Sequence, residues 1–485
     1  MNSARAPLSF LVKKYAVWIC ACFALATAIV PFARAWFRVE VDYNEGWNIY
    51  NTSIVANHQL LYPVKYGWTT VNYPMLSFVI LAQLHRFTHE YLFTARALSL
   101  VGLIGCSVLV GAIVRCLAGS WRASALAGFY CLVLFCVDAD VYVGMDDPQM
   151  FAQVFFLAGL LVYLWRRESL TAIAGAALLF VVGGFIKHNP IDFPLAVLLE
   201  LVLISWRRAL WFSGWGLAFV GVAVALNIHY GGPYFLSQLL APRVYLAGKV
   251  FDQFVTVFGP LLLPFCVALY TAFVMRKDAR RRITAILLAT TLVVGGYFGG
   301  GQGVSINCLF SALLATAIVM GLFWAEVDAG RWEWARQPRA AYVPLVLFGW
   351  LVIPLIITGN WNAVRSLRET AAAERRFDED VALLHSRSGP ALCESLLRCY
   401  FAGKPYGYDP FNATRLIRFG RLDGTAIVED IRQQKYGAVQ LDEPIEDEKD
   451  SERFNPSVLA AIQNNYVPAL KHEDAVIYVP KTKSY

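Results

Sequence analysis

Eleven apolar stretches leave this chain few architectures to fold into. They lie at about residues 15–36, 92–114, 122–137, 148–165, 169–186, 190–206, 209–228, 255–275, 283–298, 305–324 and 342–359. Their lengths suit helices that cross a bilayer. Only 16% of the 485 residues are charged and 58% are hydrophobic, whereas roughly a quarter of a soluble domain is charged. A polytopic α-helical membrane protein is therefore expected. A twelfth candidate, residues 72–88, has a short apolar core from Met75 to Ala82. Gln83, His85, Arg86, Thr88, His89 and Glu90 follow it, so it reads as an interfacial or re-entrant helix.

The basic residues orient these spans. With eleven spans and the N-terminus inside, the inner loops hold 17 of the 25 Lys and Arg residues that precede residue 365. Letting residues 72–88 cross would invert that bias, so the positive-inside rule favours eleven spans and an outward C-terminal part. Arg5, Lys13, Lys14, an apolar run and Ala33-Arg34-Ala35 imitate a cleavable secretory signal. The run from Tyr15 to Trp36 is long enough to span, so an uncleaved first helix is expected. The net charge of +7 is uneven. Residues 365–485 carry 17 basic and 19 acidic side chains, and the basic excess of the remainder fits membrane anchoring, not nucleic-acid binding.

Two parts follow: residues 1–360 as a transmembrane domain, with a long first outer loop at 37–91, and residues 361–485 as a small α/β domain. In the second part, strands are expected near 390–394, 405–409, 436–441 and 475–479, and helices at 395–402, 428–434 and 456–464. It has no Gly-rich phosphate loop. If their segment is helical, Cys393 and Cys399, six residues apart, lie on different faces, so no disulfide is expected between them.

All the unusual chemistry falls in the outer loops. The first carries Glu40, Asp42 and Glu45 beside aromatic rings. If a helix starts early, Asp42 and Glu45 share one of its faces. Acids there serve as a general base toward a hydroxyl, hold a divalent cation, or cap a helix. The second loop carries Asp138, Asp140, Asp146 and Asp147. The first two read as solvated, and one of Asp146 and Asp147 suits an N-cap before Pro148. Lys187-His188 sits at a helix end, where a compact cation can offset a phosphate or simply snorkel to the interface. Arg96, Arg243 and Lys249 are further phosphate candidates. His58, His85 and His89 lack metal spacing, and a zinc site is not indicated. Acids for a hydroxyl, cations for a phosphate and apolar helices for a lipid tail, all on one face, suggest transfer from a lipid-phosphate donor.

The order of these residues carries a resemblance. Asp42-Tyr-Asn-Glu-Gly-Trp47, Leu60-Leu-Tyr-Pro63, Asn72-Tyr-Pro-Met-Leu76, Ala95-Arg96-Ala-Leu98, Asp146-Asp-Pro148 and Phe185-Ile-Lys187 resemble polytopic glycosyltransferases of the GT-C fold. They are similar in particular to bacterial members related to protein O-mannosyltransferases and the lipid A aminoarabinose transferase. The resemblance implies inverting transfer of a sugar from a polyprenyl-phosphate donor to a hydroxyl of a glycan, lipid or protein, in a bacterial inner membrane. The N-terminus would be cytoplasmic and the C-terminal domain periplasmic. It implies a first-loop base (Asp42, or Glu45), support from Asp147 or Asp146, and phosphate contacts from Lys187, His188, Arg96, Arg243, Lys249 and Tyr73. Where the family has adjacent Asp-Glu, Asn44 separates Asp42 from Glu45. The family's phosphate-binding lysine is missing at Asn72-Tyr73-Pro74-Met75, leaving Lys65 or Arg96 to substitute. A divalent cation (Mg or Mn) on Asp42 and Asp147 is an optional cofactor. The rivals are a secondary transporter, which usually shows repeated halves and midplane acids, and a scaffold displaying the outer domain.

Overall fold

The computed structural model describes residues 8–357, 362–446 and 452–481. The domain boundary at 360/361, the end of the 342–359 stretch and Arg5 lie outside the described residues. In chain order the transmembrane part comprises α1 (Leu8–Arg34), α2 (Asn44–Ala56), α3 (Leu76–Thr88), α4 (Leu92–Ala118), α5 (Trp121–Asp138), α6 (Gln149–Trp165) and α7 (Leu170–Ile186). It continues with α8 (Asp192–Ile204), α9 (Trp206–Leu226), α10 (Phe235–Leu239), α11 (Ala247–Phe258), α12 (Leu262–Met275), α13 (Arg282–Gly299), α14 (Phe310–Asp328) and α15 (Val343–Ile357).

Every apolar stretch is helical, but eleven crossings are not reached by length. Among the described residues seven helical stretches are long and apolar enough to cross, and the count reaches eight if the α11–α12 pair, bent by 98°, is one span. Helices α6 and α7 have 17 residues each and α8 has 13. Helix α3, at 13 residues, covers most of the expected apolar core and runs on through the polar residues to Thr88.

Helix α14 is apolar all round and buried along nearly its whole length, from Phe310 to Val327. A helix without a polar face belongs in the middle of a bundle, and α4, α5, α12 and α13 pack around it. Helices α4 and α5 meet through small residues: a Cβ at Gly111 would lie 2.9 Å from Ser124 O, and one at Gly128 2.9 Å from Ser107 O. Close backbone approach of this kind is how helices associate without a hydrophobic driving force between them.

Helix α16 (Ala363–Ser386) leads into the C-terminal domain, with β1 (Ala391–Cys393), α17 (Leu396–Phe401), α18 (Pro410–Arg418), α19 (Thr425–Arg432), β2 (Ala438–Leu441), α20 (Pro456–Asn465), β3 (Tyr466–Lys471) and β4 (Val476–Pro480). The sheet order is β1-β2-β4-β3, with β1 and β2 parallel and the other pairs antiparallel. Residues 405–409 are not a strand. Asp409 instead caps α18, accepting from Asn412 N at 2.9 Å, and Pro410 takes the first helical position. Strand β3 escaped the sequence pattern because it is an edge strand, exposed over Val467–Ala469 and interrupted by Pro468. Cys393 and Cys399 are disulfide-bonded, against expectation. They do not share a helix: Cys393 ends β1, and Ser395 turns the chain into α17, which brings Cys399 back beside it.

Candidate active site

Arg96 organises the first outer loop. Its guanidinium, fully buried on α4, donates to Glu45 through Nε (2.7 Å) and Nη2 (2.6 Å), and to the carbonyls of Phe37 and Val39 at 2.6 Å each. Glu45 also accepts from Val41 N at 2.8 Å and Asp146 N at 3.1 Å. One bidentate pair therefore folds residues 35–45 against α4 and pins the second outer loop to them. Neither residue lines the cavity into which Asp42 opens. The fold places Glu45, unlike Asp42, where all its lone-pair directions meet donors.

Helix α2 begins at Asn44, so Asp42 precedes it and does not share a face with Glu45. Asp42 Oδ1 accepts from Asn44 N at 2.9 Å and Asn44 Nδ2 at 2.6 Å. Its carboxylate opens into a cavity of about 340 Å³, bounded also by Tyr73 of the same loop and by His188, Arg243, Lys249, Ser305 and Asn307 of later ones. Phe411, Asn412 and Arg453 of the C-terminal domain close the remaining wall. Burial pushes the Asp42 carboxyl above its ordinary range, with Asp147 and Glu45 adding to it and Asn44 and Arg453 opposing. A carboxylate so placed has gained proton affinity while still facing open space.

Lys187 is wholly buried behind this wall. Its ammonium lies 3.1 Å from Asp147 Oδ2, donates to the Tyr73 hydroxyl and sits 3.9 Å from the Tyr73 ring centroid. Burial lowers its pKa, but Asp147 and Tyr73 more than offset that and hold it raised. Asp147 also accepts from Gln149 N at 2.7 Å at the start of α6, so it is at once a cap and the partner of Lys187. The Lys187 charge is thus spent inside the protein, fixing Tyr73 and Asp147.

His188 does reach the cavity, and burial together with Lys187 and Arg243 pushes its pKa down to about 3, so the ring there is neutral. Asp146 is buried, and its carboxyl is held well above the usual range by burial and by Glu45 and Asp147. Its backbone does the positioning, with N–H to Glu45 and O from Asn48 Nδ2 at 2.6 Å. Lys65 is exposed, 5.9 Å from the Tyr66 ring and outside the cavity. Of the cations proposed from sequence, Arg243 and Lys249 are those that line it.

The sequence pattern did not point to the tail. Asp409 is fully buried and accepts from the Tyr43 hydroxyl and from Trp47 Nε1 at 2.8 Å. The Arg453 guanidinium stacks 3.6 Å from the Tyr43 ring centroid. Arg398 meets Glu40 at 3.7 Å. These contacts join segments more than 350 residues apart, beyond the reach of any local spacing, although a buried Asp preceding Pro410 is a cap signal in itself.

The donor set does not fit a divalent cation on Asp42 and Asp147. Among the described residues no group of three or more His, Cys, Asp or Glu could hold one, and Asp147 is already matched to Lys187.

No protein-family model matches the chain, and no curated protein matches it. Solved structures do. It is similar to ArnT from Cupriavidus metallidurans in the apo state (TM-score 0.61, 13% identity, 95% of this chain and 97% of that one). It is also similar to the same protein bound to undecaprenyl phosphate (0.59, 13%, 96% and 98%). The apo oligosaccharyltransferase of Archaeoglobus fulgidus matches at TM-score 0.54 and 11% identity, over 97% of this chain and 75% of that one. Likeness over nearly the whole chain at such low identity speaks for architecture: this is a membrane protein with the GT-C fold, its helical part capped by a small C-terminal α/β domain.

Proposed function

We propose that the chain is an inverting glycosyltransferase that moves a sugar from a polyprenyl-phosphate donor to a hydroxyl of a glycan, lipid or protein. The observation that carries this reading is the Asp42 carboxylate, open to a cavity that Arg243 and Lys249 also line. Supporting it, ArnT of this fold is known bound to undecaprenyl phosphate, and the Archaeoglobus fulgidus AglB is known with a dolichol-phosphate.

In this reading Asp42 takes the proton of the acceptor hydroxyl as its oxygen bonds to the anomeric carbon. The bond from that carbon to the phosphate oxygen breaks on the opposite side, and its electron pair leaves with the lipid phosphate. Arg243 and Lys249 stabilise the charge that builds on the leaving group. Lys187, Asp147 and Tyr73 act as positioning residues, and Glu45 with Arg96 holds the loop that carries the base. The outer loops and C-terminal domain lie on the periplasmic side of a bacterial inner membrane, with the N-terminus cytoplasmic. The test is transfer from a labelled polyprenyl-phosphate sugar in proteoliposomes. Wild type consumes donor and Asp42→Asn does not; solute uptake without donor consumption overturns the reading in favour of a transporter.

A further inference from the structure

Arg415 is only 2% exposed, yet among the described residues its Nε, Nη1 and Nη2 have no hydrogen-bond partner. The other deeply buried arginines of the outer face do not share this condition. Arg96 has Glu45 and loop carbonyls, and Arg398 has Asp380 and Asp474 at 3.0 Å each. A guanidinium carries five donors in a rigid planar fork, and burying that fork unmet is costly unless something anionic enters it.

Its position says where. Phe411, Asn412 and Arg415 share one face of α18 by their three- and four-residue spacing, and the first two line the cavity. The Arg415 guanidinium lies 5.8 Å from the Phe411 ring centroid, directly behind that wall. Phe411 presses on the fifth outer loop at Gly303, where a Cβ would lie 2.1 Å from the ring and φ is +70°. Two residues earlier, a Cβ on Gly301 would be 3.2 Å from Arg243 Cδ. Arg243 therefore meets the glycine loop at Gly301 from the transmembrane part, and Phe411, with Arg415 beside it, meets the loop at Gly303 from the C-terminal domain. The nearby acid, Asp409, is already engaged by Tyr43, Trp47 and two nitrogens of Asn412. Burial and the facing Arg243 push the Arg415 pKa down to about 10, which leaves it cationic at neutral pH.

We propose that Arg415 and Arg243 form an anion subsite across this seam, taking a phosphate or carboxylate group of a substrate once the Phe411 ring moves off Gly303. This rests on the transferase reading for its biological ligand, though not for anion binding itself. The anionic group belongs either to the lipid phosphate of the donor or to an acidic acceptor.

The experiment uses the full chain in nanodiscs as wild type, Arg415→Met, Arg415→Lys and the exposed control Arg421→Met. Melting, the Kd for undecaprenyl phosphate, protection by inorganic phosphate and the acceptor KM are measured. Arg415→Met is expected to melt no lower than wild type and to lose phosphate protection, with Arg415→Lys intermediate and Arg421→Met unchanged. A Kd for undecaprenyl phosphate weakened about tenfold or more assigns the subsite to the donor. An unchanged Kd with an acceptor KM raised about as much assigns it to the acceptor. A structural arginine would instead lower the melting temperature in both Arg415 variants and leave binding by the folded fraction intact, which overturns the proposal. So does unaltered phosphate protection, Kd and KM in either variant. If wild type binds phosphate through Arg415 but neither binds undecaprenyl phosphate nor transfers sugar, the transferase reading falls and the subsite stands.

Discussion

Two carboxylates flank the start of α2 in the first outer loop: Asp42 lines the cavity, and Glu45 is turned to Arg96 on α4. Glu45 is fully buried and receives two bonds from Arg96 and one each from Val41 and Asp146. Asp42 is half-buried and receives both of its bonds from Asn44. Two acids three residues apart have thus been given different work by their neighbours. Donors crowded round a carboxylate stabilise its charge and make it a fixed post. Burial with few donors raises its proton affinity and leaves a base. The same contrast separates Lys187, matched to Asp147, from Arg243 and Lys249, which face the cavity.

The largest effect expected is on turnover. Asp42→Asn keeps size and the bond to Asn44 but removes the proton acceptor, so kcat should fall roughly 10²–10⁴-fold, the usual contribution of a general base. Thermal unfolding should be unchanged. A kcat within twofold of wild type would break the contrast and return the role of base to Glu45. Next comes stability. Arg96→Met strands the Glu45 carboxylate in the protein interior, and losing one partner of a buried pair costs about 3–5 kcal/mol. The double variant Glu45→Gln with Arg96→Met should recover most of that loss in unfolding measurements. If Arg96→Met abolishes transfer while leaving unfolding untouched, Arg96 belongs to the chemistry and not to the loop.

Acidity sharpens the contrast further. Asp42 must be ionised to accept a proton, and its pKa is raised in the folded protein. Activity should therefore rise with pH along a limb displaced above the ordinary Asp value of about 3.9. His188 cannot supply that limb, because with a pKa of about 3 it is already neutral where the limb begins. For stability the sign is opposite to that of a salt-bridged acid. A raised folded pKa means the folded state holds its proton more tightly, so this group's stabilisation is present at low pH and is lost as pH rises through the raised value. The kcat profile of Asp42→Asn should lack the limb, and its persistence would name another base.

How far the sequence reached depends on the range of the interactions involved. Apolar length is a local property, so all eleven apolar stretches were legible as helices, and the mixed polarity after Ala82 was enough to set α3 apart. The gathering of separate loops was legible too, since Asp42, His188, Arg243 and Lys249 line one cavity. Pairing was not. Arg96 and Glu45 are 51 residues apart and Lys187 and Asp147 are 40 apart. Nothing in a spacing says that two opposite charges will consume each other, so a cation in an outer segment looked the same whether it ended at a phosphate or at a buried carboxylate. The contribution of the tail was hidden for the same reason. Asp409, Phe411, Asn412 and Arg415 acquire meaning only once α18 is laid against Tyr43 and Gly303.

Lys65 gives the smallest expected effect and a test of that last point. Sequence order made it a substitute for an absent phosphate-binding lysine, but its side chain is exposed beside Tyr66 and away from the cavity wall. An exposed side chain without a buried partner is usually worth less than about 0.5 kcal/mol on replacement. Because Lys65 also stands outside the cavity, Lys65→Ala should leave the donor KM within about twofold, or ~0.5 kcal/mol of binding. Lys249→Ala, removing a cation that does line the cavity, should raise it several-fold more, and both effects should shrink as salt is added. Equal effects from the two lysines would mean that the donor phosphate is drawn in by the charge of the whole outer face. In that case the contrast between matched and open groups would describe only the chemistry at Asp42, and not the binding that precedes it.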